Sequence, residues 1–244
     1  GISFTAEPGQ IIGVTGPVAS GKSTLGRTFL CEYPYEGSIR YNGCELRNAA
    51  DNVRSGIISY LGHDPELFND SVRNNVLLGD DYDVFEYLRA VCMDKEVEAM
   101  EQGADTIIGS EGIRLSGGQA QRIALARMLC HKKLVLVLDD PFSALDRNTE
   151  EQIYKKLKDM ASDNIVILIS HRLYMFPKMD KVIWMDAGKA NVGTHKELML
   201  ECPGYRKMYE TVSVEECRTV ETENEGLAAA KVVENSRRVV DKHE

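Results

Sequence analysis

Residues Leu115–Asp146 decide the fold, and they read LSGGQAQRIALARMLCHKKLVLVLDDPFSALD. The Ser-Gly-Gly turn stands in front of a helical pattern, where free backbone N–H groups and the helix dipole can hold an anion. Further along, the apolar run Leu134–Leu138 is typical of a strand that is buried on both faces in a parallel sheet. This strand ends in two adjacent carboxylates, Asp139 and Asp140. An anion-binding turn and a pair of carboxylates therefore lie at the two ends of one helix–strand unit.

Two pairs of polar residues predict helix starts on either side of this strand. Ser116 and Gln119 have the spacing of a capping box, in which each side chain bonds the backbone N–H group of the other residue. Thr149 and Gln152 repeat that spacing after the strand. We therefore expect one helix to begin directly after Ser116 and the next directly after Thr149.

Composition and charge limit the class of protein. The 244 residues are 43% hydrophobic and 27% charged, which is typical of a soluble globular protein. No apolar run approaches the roughly 20 residues that span a bilayer, and the first residues are too polar for a signal peptide. The net charge of −9 argues against broad nucleic-acid binding, which needs a basic face. The six cysteines lack the spacing of a metal site, which favours reduced thiols in a cytosolic protein.

A glycine-rich loop lies between a strand pattern and a helix pattern near the start of the chain. The short apolar run Gln10–Thr15 leads directly into GPVASGKST. The glycines let backbone amides face a phosphate, Lys22 brings a positive charge, and Ser23 offers a hydroxyl to Mg²⁺. The loop predicts nucleoside triphosphate binding without saying which NTPase the chain is. The predicted phosphate-binding residues are Gly16, Pro17, Val18, Ala19, Ser20, Gly21, Lys22, Ser23 and Thr24.

The middle of the chain changes from strands to helices. Asn42-Gly43 indicates a hairpin turn between two short strands, and Ile57–Leu61 indicates a further strand. Residues 83–102 alternate charged and apolar side chains at helical spacing, with Asp83 as a cap. Because this helical block interrupts the alternation of strands and helices, we expect it to form a separate lobe.

Two more apolar runs, Ile165–Ile169 and Val182–Met185, complete the predicted parallel sheet. In an open α/β sheet, ligands bind at the carboxyl ends of the strands. Gly16, Asp139 and His171 all fall at such ends. We therefore expect these three residues to meet at one edge of the sheet.

Five motifs follow one another along the chain, from the glycine-rich loop to the Ser-His pair. In this order they resemble the motifs of ATP-binding cassette (ABC) nucleotide-binding domains, and they span most of the chain up to about Tyr209. Three further segments look like the exporter branch of that family, whose cassettes are fused to membrane helices. The five motifs are GPVASGKST (16–24), LSGGQ (115–119), LVLVLDD (134–140), SALD (143–146) and ISH (169–171), and the exporter-like segments are DPELFNDSVRNNV (64–76), TIIGSEGIRLSGG (106–118) and GTHKEL (193–198).

The resemblance implies an α/β fold with a P-loop NTPase parallel-sheet core, a small antiparallel β part and an inserted α-helical lobe. Residues 1–62 and 126–210 would form the core, and residues 63–125 the lobe that ends in the LSGGQ signature. Residues 211–244 lack aromatic side chains and are expected to form a flexible or partner-dependent tail. The opening ISFTAEPGQ resembles the strand that precedes the P-loop. The preceding strands and the aromatic A-loop residue that stacks on adenine are therefore expected upstream, in a longer transporter.

The resemblance also implies how the cofactors ATP and Mg²⁺ are held. Two cassettes would pair head to tail around two ATP molecules, so that the P-loop of one faces the LSGGQ motif of the other. Asp139 would steady Mg²⁺ through water beside Ser23, His171 would contact the γ-phosphate, and Asp146 would cross the dimer interface. The signature residues predicted to bind nucleotide are Ser116, Gly117, Gly118 and Gln119.

The implied partners are a second ABC cassette, as a homodimer or a heterodimer, and the transmembrane domain of an exporter. The chain would then work at the cytoplasmic face of the cell membrane, through an attached membrane domain. A soluble ABC protein of DNA repair or translation is disfavoured by the acidic balance and the exporter-like segments. No nucleic-acid partner is expected.

Three residues depart from the family pattern. Asp140 stands where active cassettes usually carry the glutamate that polarises the attacking water, and the missing methylene retracts the carboxylate by about 1.5 Å. His63 stands in place of the Q-loop glutamine, and an imidazole nitrogen is a poor ligand for the hard ion Mg²⁺. Ser110 replaces a glutamate of the exporter pattern, which is expected to weaken contact with a partner's coupling helix. The predicted catalytic residues are Asp140, His171 and His63.

These departures lead to a hypothesis about activity. The chain is expected to be an ATPase whose own site binds ATP and hydrolyses it slowly. Its intact LSGGQ motif would complete the competent site of a different partner, as in the degenerate half of a heterodimeric exporter. One alternative is a homodimer with two slow but active sites. Another is an ATP-gated dimerisation module with little hydrolysis of its own.

Overall fold

Apolar runs of the sequence form the strands of a central sheet. The structure, a computed structural model, describes residues 1–109 and 112–211. Within these residues the strands are β1 (Ile11–Thr15), β2 (Arg40–Tyr41), β3 (Cys44–Glu45), β4 (Ile58–Leu61), β5 (Asp70–Ser71), β6 (Ile107–Ile108), β7 (Val135–Asp139), β8 (Ile165–Ile169), β9 (Lys181–Asp186) and β10 (Lys189–Gly193).

The central sheet has the strand order β10-β9-β1-β8-β7-β4. The strands from β9 to β4 in this order run parallel, and β10 pairs antiparallel with β9 at one edge. The two-stranded antiparallel pairs β2-β3 and β5-β6 lie outside this sheet. This architecture confirms the predicted α/β class with a parallel-sheet core.

The sheet is buried because its strands carry apolar side chains on both faces. All five residues of β7 are buried. Leu136 and Leu138 pack into one hydrophobic cluster, and Val135 and Val137, which point to the other face, pack into a second. Burying a side chain of this size stabilises the fold by about 1.5–3 kcal/mol, so β7 contributes strongly to the core.

Helices cover both faces of the sheet. α1 contributes to the same cluster as Val137, whereas α6 contributes to the cluster that contains Leu136. Residues 203–211 are also helical. The described α-helices are α1 (Lys22–Thr28), α2 (Asp51–Ile57), α3 (Val72–Leu77), α4 (Val84–Ala90), α5 (Asp94–Glu98), α6 (Gly117–Cys130), α7 (Arg147–Met160) and α8 (His195–Glu201).

The predicted hairpin turn is confirmed. β2 and β3 pair with Tyr41 opposite Cys44. The two residues between them, Asn42 and Gly43, have φ values of 47° and 79°. A two-residue turn of type I′ needs a positive φ at both of its central residues, which Asn and Gly tolerate best.

The predicted helix start after Thr149 is wrong. α7 begins at Arg147, since the carboxylate of Asp146 accepts the Thr149 N–H at 3.0 Å and so takes the N-cap position. The Thr149 hydroxyl also donates to Asp146 at 2.6 Å. Asp caps a helix at least as well as Thr, so the earlier residue begins the helix.

The helical block over residues 83–102 contains two helices and not one. Asp83 caps α4 as predicted, by accepting the Phe85 N–H at 3.0 Å. The helix ends because Cys92 adopts a left-handed φ of 54° and the Met93 N–H bonds the Leu88 carbonyl at 2.8 Å. This is the Schellman arrangement that ends many helices. α5 starts immediately afterwards.

The predicted division into core and lobe stays a prediction. α6 runs without a break through residue 125, where the lobe was expected to end. Ser110 and residues 212–244 of the predicted tail lie outside the described residues. Among the residues that are described, no helix is long and apolar enough to cross a bilayer.

Candidate nucleotide-binding site

The carboxyl ends of β1, β8 and β7 lie side by side. Val14 and Asp139 both pair with Ile169, one from each side of β8. Backbone bonds continue beyond the strands, from the Ser170 N–H to the Val14 carbonyl at 3.0 Å and from the Asp140 N–H to the Ile169 carbonyl at 2.9 Å. The residues that follow these three strands therefore meet at one edge of the sheet, where α/β folds bind ligands.

Two glycines determine the path of the loop that follows β1. A Cβ atom on Gly16 would lie 2.0 Å from the carbonyl oxygen of Met185, so only glycine allows this close approach to β9. Gly21 has a φ of 93° and is the N-cap of α1, a left-handed conformation that glycine adopts without strain. Together they bend the loop back on itself at the edge of the sheet.

The Lys22 side chain lies under this loop. Its Nζ atom donates to the carbonyl oxygens of Gly16 at 2.9 Å and Pro17 at 2.7 Å, and lies 3.4 Å from the Ser20 hydroxyl. Burial lowers the pKa of Lys22, while the charges of Asp139 and Asp140 act in the opposite direction. The ammonium group is therefore close enough to both carboxylates to interact with them.

The crest of the loop is exposed and carries backbone strain. Val18 is 86% exposed, and the exposed Ala19 has a left-handed φ of 63°. A residue with a Cβ atom pays about 1–2 kcal/mol in this region. Ser23 and Thr24 are exposed in the first turn of α1. The predicted phosphate-binding residues thus form one continuous loop whose outer side is open.

Asp139 at the end of β7 is buried and hydrogen-bonded. It is 6% exposed, and the Tyr60 hydroxyl donates to its Oδ2 atom at 2.8 Å. Burial, followed by the hydrogen bond to Asp139, raises the pKa of Tyr60 to about 12. The hydroxyl therefore keeps its proton and remains a donor at neutral pH. Sequence reasoning missed Tyr60, and its place in the strand just before His63 was the available signal.

Asp140 has an unusual backbone conformation. Its φ is 52°, in the left-handed region that Asp tolerates better than most residues. Burial raises the pKa of Asp140, the charges of His171 and His63 lower it, and the charge of Asp139 raises it again. The structure thus brings the three predicted catalytic residues, Asp140, His171 and His63, within electrostatic reach of one another.

His171 follows β8, and it is exposed. Burial of part of the ring lowers the pKa of His171, the charge of Lys22 lowers it further, and the charges of Asp140 and Asp139 oppose this shift. A neutral imidazole is therefore favoured near the ammonium group. His63 is also exposed, in the loop after β4.

Arg172, which sequence reasoning did not single out, joins the loop after β8 to the turn before α7. Its guanidinium lies 2.9 Å from a carboxylate oxygen of Glu150, whose side chain is 1% exposed, and also donates to the Ser143 carbonyl at 3.1 Å. Arg147 lies over the ring of Tyr174 at 4.2 Å in the same region. The SALD motif (143–146) is therefore tied to the residue that follows His171.

The LSGGQ motif has the predicted capping box. Ser116 Oγ accepts the Gln119 N–H at 3.2 Å, and Gln119 Oε1 accepts the Ser116 N–H at 2.9 Å. Ser116 and Gly117 are exposed, whereas Gly118 is buried against Ala144. The motif therefore presents two residues at the start of α6 to solvent, and packs the third against the turn before α7.

Gln119 is used inside the chain. Its Nε2 atom donates to Glu96 at 2.8 Å, and Glu96 also forms an ion pair with Arg122 at 2.8 Å. Both ends of the Gln119 amide are thus engaged with the motif and with α5. In the described part of the chain, no hydrogen bond or ion pair joins residues 116–119 to residues 16–24. The two predicted nucleotide-binding motifs are not linked to each other in this way.

The oxygen donors at the edge of the sheet fit Mg²⁺. Ser23 offers an exposed hydroxyl, and Asp139 offers a carboxylate, and both are ligand types that this ion prefers. Among the described residues there is no cluster of three or more His, Cys, Asp or Glu side chains that could hold a metal. This set suits an ion that is bound mainly through phosphate oxygens and water, as Mg²⁺ is in P-loop sites.

Comparison with known proteins decides the family. Residues 1–143, more than half of the chain, match the family model described as ABC transporter. The chain belongs to the ABC transporter family. A probable multidrug resistance ABC transporter ATP-binding/permease protein of Bacillus subtilis is 35% identical over 215 residues, which cover 86% of this chain and 37% of that protein.

Other members of the ABC transporter family show the same relationship. An ATP-dependent lipid A-core flippase of Pseudomonas syringae pv. tomato is 38% identical over 216 residues, or 85% of this chain and 36% of the flippase. The solved structure of a bacterial Atm1-family ABC exporter with ATP bound has a TM-score of 0.78 and 30% identity. The match covers 84% of this chain and 37% of the exporter chain. The chain thus spans a little over one third of these relatives and has the fold of an ABC ATPase domain.

Proposed function

We propose that this chain is the nucleotide-binding domain of an ABC exporter and that it binds and hydrolyses ATP with Mg²⁺. The observation that supports this most directly is the meeting of Lys22, Asp139, Asp140 and His171 at one edge of the sheet. A cation, two carboxylates and an imidazole around a glycine-rich loop suit the binding and transfer of a phosphoryl group.

Each residue has a role that follows from its position. The backbone of the glycine-rich loop would hold the phosphates, and Lys22 would exchange the carbonyls of Gly16 and Pro17 for phosphate oxygens. Mg²⁺ would supply charge neutralisation at the phosphates, and Ser23 and Asp139 would hold it. Asp140 would orient the attacking water, and His171 would contact the γ-phosphate as a neutral donor.

The chain would act in a dimer with a second ABC cassette. Ser116 and Gly117 are exposed at the start of α6, where backbone N–H groups can reach a phosphate on another chain. They make no hydrogen bond with the glycine-rich loop of their own chain in the described residues. Both observations support a signature motif that completes the ATP site of a partner. Gln119 would hold this motif in place through its bonds within its own chain.

The chain's own site would hydrolyse ATP slowly. Asp140 carries a carboxylate that is one methylene shorter than the glutamate of active cassettes, and a displacement of about 1 Å can lower a rate on the order of 100-fold. His63 would place an imidazole where active cassettes offer Mg²⁺ a glutamine oxygen, and imidazole nitrogen is the poorer ligand for this ion. We assign the chain to the degenerate half of a heterodimeric exporter. A homodimer with two slow but active sites is one alternative, and an ATP-gated dimerisation module with little hydrolysis of its own is the other.

The loop after His63 would transmit dimer closure to a membrane domain. Asn75 fixes this loop from within, since its side chain bonds the Phe68 N–H at 2.8 Å and the Phe68 carbonyl at 3.0 Å. Arg127 holds Asn75 at 2.7 Å and lies over the Phe68 ring at 4.9 Å. Phe68 itself is 59% exposed. A rigid loop that presents an exposed aromatic ring suits a contact with a transmembrane domain at the cytoplasmic face of the membrane.

Single-turnover hydrolysis of ATP tests this function and separates the alternatives. The purified chain, in molar excess over Mg-ATP, would be assayed with and without a partner cassette that carries glutamate at the position equivalent to Asp140. We expect ATP binding without the partner and rapid hydrolysis only with it, through the partner's own P-loop. Binding with no hydrolysis in either mixture would support the gating module. An absence of ATP binding would contradict the proposal.

A further inference from the structure

We propose that Tyr60 is a positioning residue that fixes the Asp139 carboxylate for Mg²⁺ binding. This inference rests on the proposed function, because it concerns the metal of the same ATP site. It assigns Tyr60, which lies in β4 and outside the P-loop and signature motifs, to the nucleotide machinery.

The strand register places Tyr60 beside Asp139. β4 and β7 run parallel with Tyr60 opposite Val137, so Asp139 lies two residues further along and projects to the same face of the sheet as Val137. The Tyr60 side chain extends along this face, and its hydroxyl donates to Asp139 Oδ2 at 2.8 Å. The bond therefore links two strands through residues that are 79 positions apart in the chain.

The ring of Tyr60 is confined, so its hydroxyl has a defined position. A Cβ atom on Gly26 of α1 would lie 3.2 Å from ring atom Cε2, and one on Gly62 would lie 3.3 Å from Cε1. These two glycines therefore leave just enough room for the ring between α1 and the end of β4. The donor is held in place before any ligand arrives, as preorganised sites require.

This hydrogen bond selects one orientation of the carboxylate. It engages Oδ2, and among the described residues the other oxygen, Oδ1, makes no hydrogen bond. A carboxylate that is held by one oxygen presents the second to a metal or its water, and binding then needs no further loss of side-chain rotational entropy. Hydrogen bonds behind a metal ligand typically change metal affinity by about 10–100-fold.

The test separates metal-dependent from metal-independent binding of ATP. Wild-type protein and the Tyr60→Phe variant would be titrated with a fluorescent ATP analogue, first in EDTA and then at increasing Mg²⁺ concentration. We expect the EDTA affinity of Tyr60→Phe to stay within about twofold of wild type, and the Mg²⁺ concentration at half-effect to rise by about 10-fold. Tyr154→Phe is the matched control, because its buried hydroxyl bonds the Lys178 carbonyl at 3.2 Å, away from the site.

A double-mutant cycle decides whether Tyr60 acts through Asp139. Tyr60→Phe should add nothing to the Mg²⁺ dependence of Asp139→Ala, since the group that it positions is gone. An unchanged Mg²⁺ midpoint in Tyr60→Phe, or an additive loss in the double variant, would overturn the proposal. Melting curves without nucleotide establish that each variant folds. Failure of the proposed function has a different signature, namely that wild type binds no ATP at any Mg²⁺ concentration.

Discussion

Glu150 and Arg172 form an ion pair, with 2.9 Å between a carboxylate oxygen and Nη1, at the point where the loop after β8 meets α7. The Glu150 side chain is 1% exposed and that of Arg172 is 27% exposed. A buried carboxylate needs such a partner because the loss of its hydration is costly. This pair therefore holds the loop after β8 against the turn that contains Ser143, and it couples two segments that sequence motifs treat separately.

Removing Arg172 should destabilise the fold. Arg172→Met removes the guanidinium that forms the ion pair with the buried Glu150 carboxylate, and we expect a loss of about 3 kcal/mol in the free energy of unfolding. The matched control is Glu151→Gln, which breaks the exposed contacts to Arg147 and Lys178 at 3.5 and 3.7 Å and should cost less than about 1 kcal/mol. Urea unfolding measures both. Equal small losses for the two variants would show that the buried pair contributes little.

Glycine at position 19 should stabilise the loop. Ala19 has a left-handed φ of 63°, and Ala19→Gly removes the strain of its Cβ atom. The greater freedom of glycine in the unfolded chain offsets part of this gain, so we expect about 0.5–1 kcal/mol of net stabilisation in thermal unfolding. Ala120→Gly, within α6, should instead destabilise by about 1 kcal/mol. A loss of stability in both variants would argue against strain at Ala19.

Gly16→Ala should weaken ATP binding. The added methyl group would lie 2.0 Å from the Met185 carbonyl oxygen, so the loop must move away from β9. Because the phosphates would bind to the backbone of this loop, we expect ATP affinity to fall by at least about 10-fold. Gly37→Ala is the control, since Gly37 also has a left-handed φ, of 90°, but has open space at its Cβ position. Wild-type affinity in Gly16→Ala would contradict the assigned loop geometry.

Stability should decrease as the pH falls below the ordinary histidine range. Burial lowers the pKa of both His171 and His195 from 6.5, so each contributes stability that is present above about pH 6.5. That contribution is lost as the pH falls through the folded-state pKa, because the unfolded chain binds the proton more readily. Urea unfolding at a series of pH values between 7.5 and 5 should show a decline that the double variant His171→Gln/His195→Gln reduces. An identical slope in the double variant would exclude both histidines as its source.

The strands and the glycine-rich loop could be predicted from local patterns, because β7 and β8 are continuous apolar runs and the loop uses glycine where the backbone demands it. The start of α7 could not, since Asp146 and Thr149 are both good caps and the local pattern does not choose between them. The break at Cys92 also escaped prediction, because a cysteine in a left-handed conformation carries no local signal. Contacts between residues that are distant in the sequence are the hardest to predict. Tyr60 and Asp139 are joined only by the pairing of β4 with β7.

The reduced activity proposed for this site depends on the length of the side chain at position 140. Asp140→Glu moves the carboxylate outward by about 1.5 Å without changing its charge. Its left-handed φ of 52° is tolerated less well by glutamate than by aspartate, so the variant's stability should be measured alongside its rate. Asp140→Asn, which removes the charge at nearly constant volume, is the matched control.

Steady-state ATP hydrolysis by these three proteins at saturating Mg-ATP is the most direct test. We predict that Asp140→Glu raises the rate on the order of 100-fold above wild type, and that Asp140→Asn lowers the residual rate further. No gain with Asp140→Glu, together with an unchanged rate for Asp140→Asn, would contradict the account and remove Asp140 from the reaction.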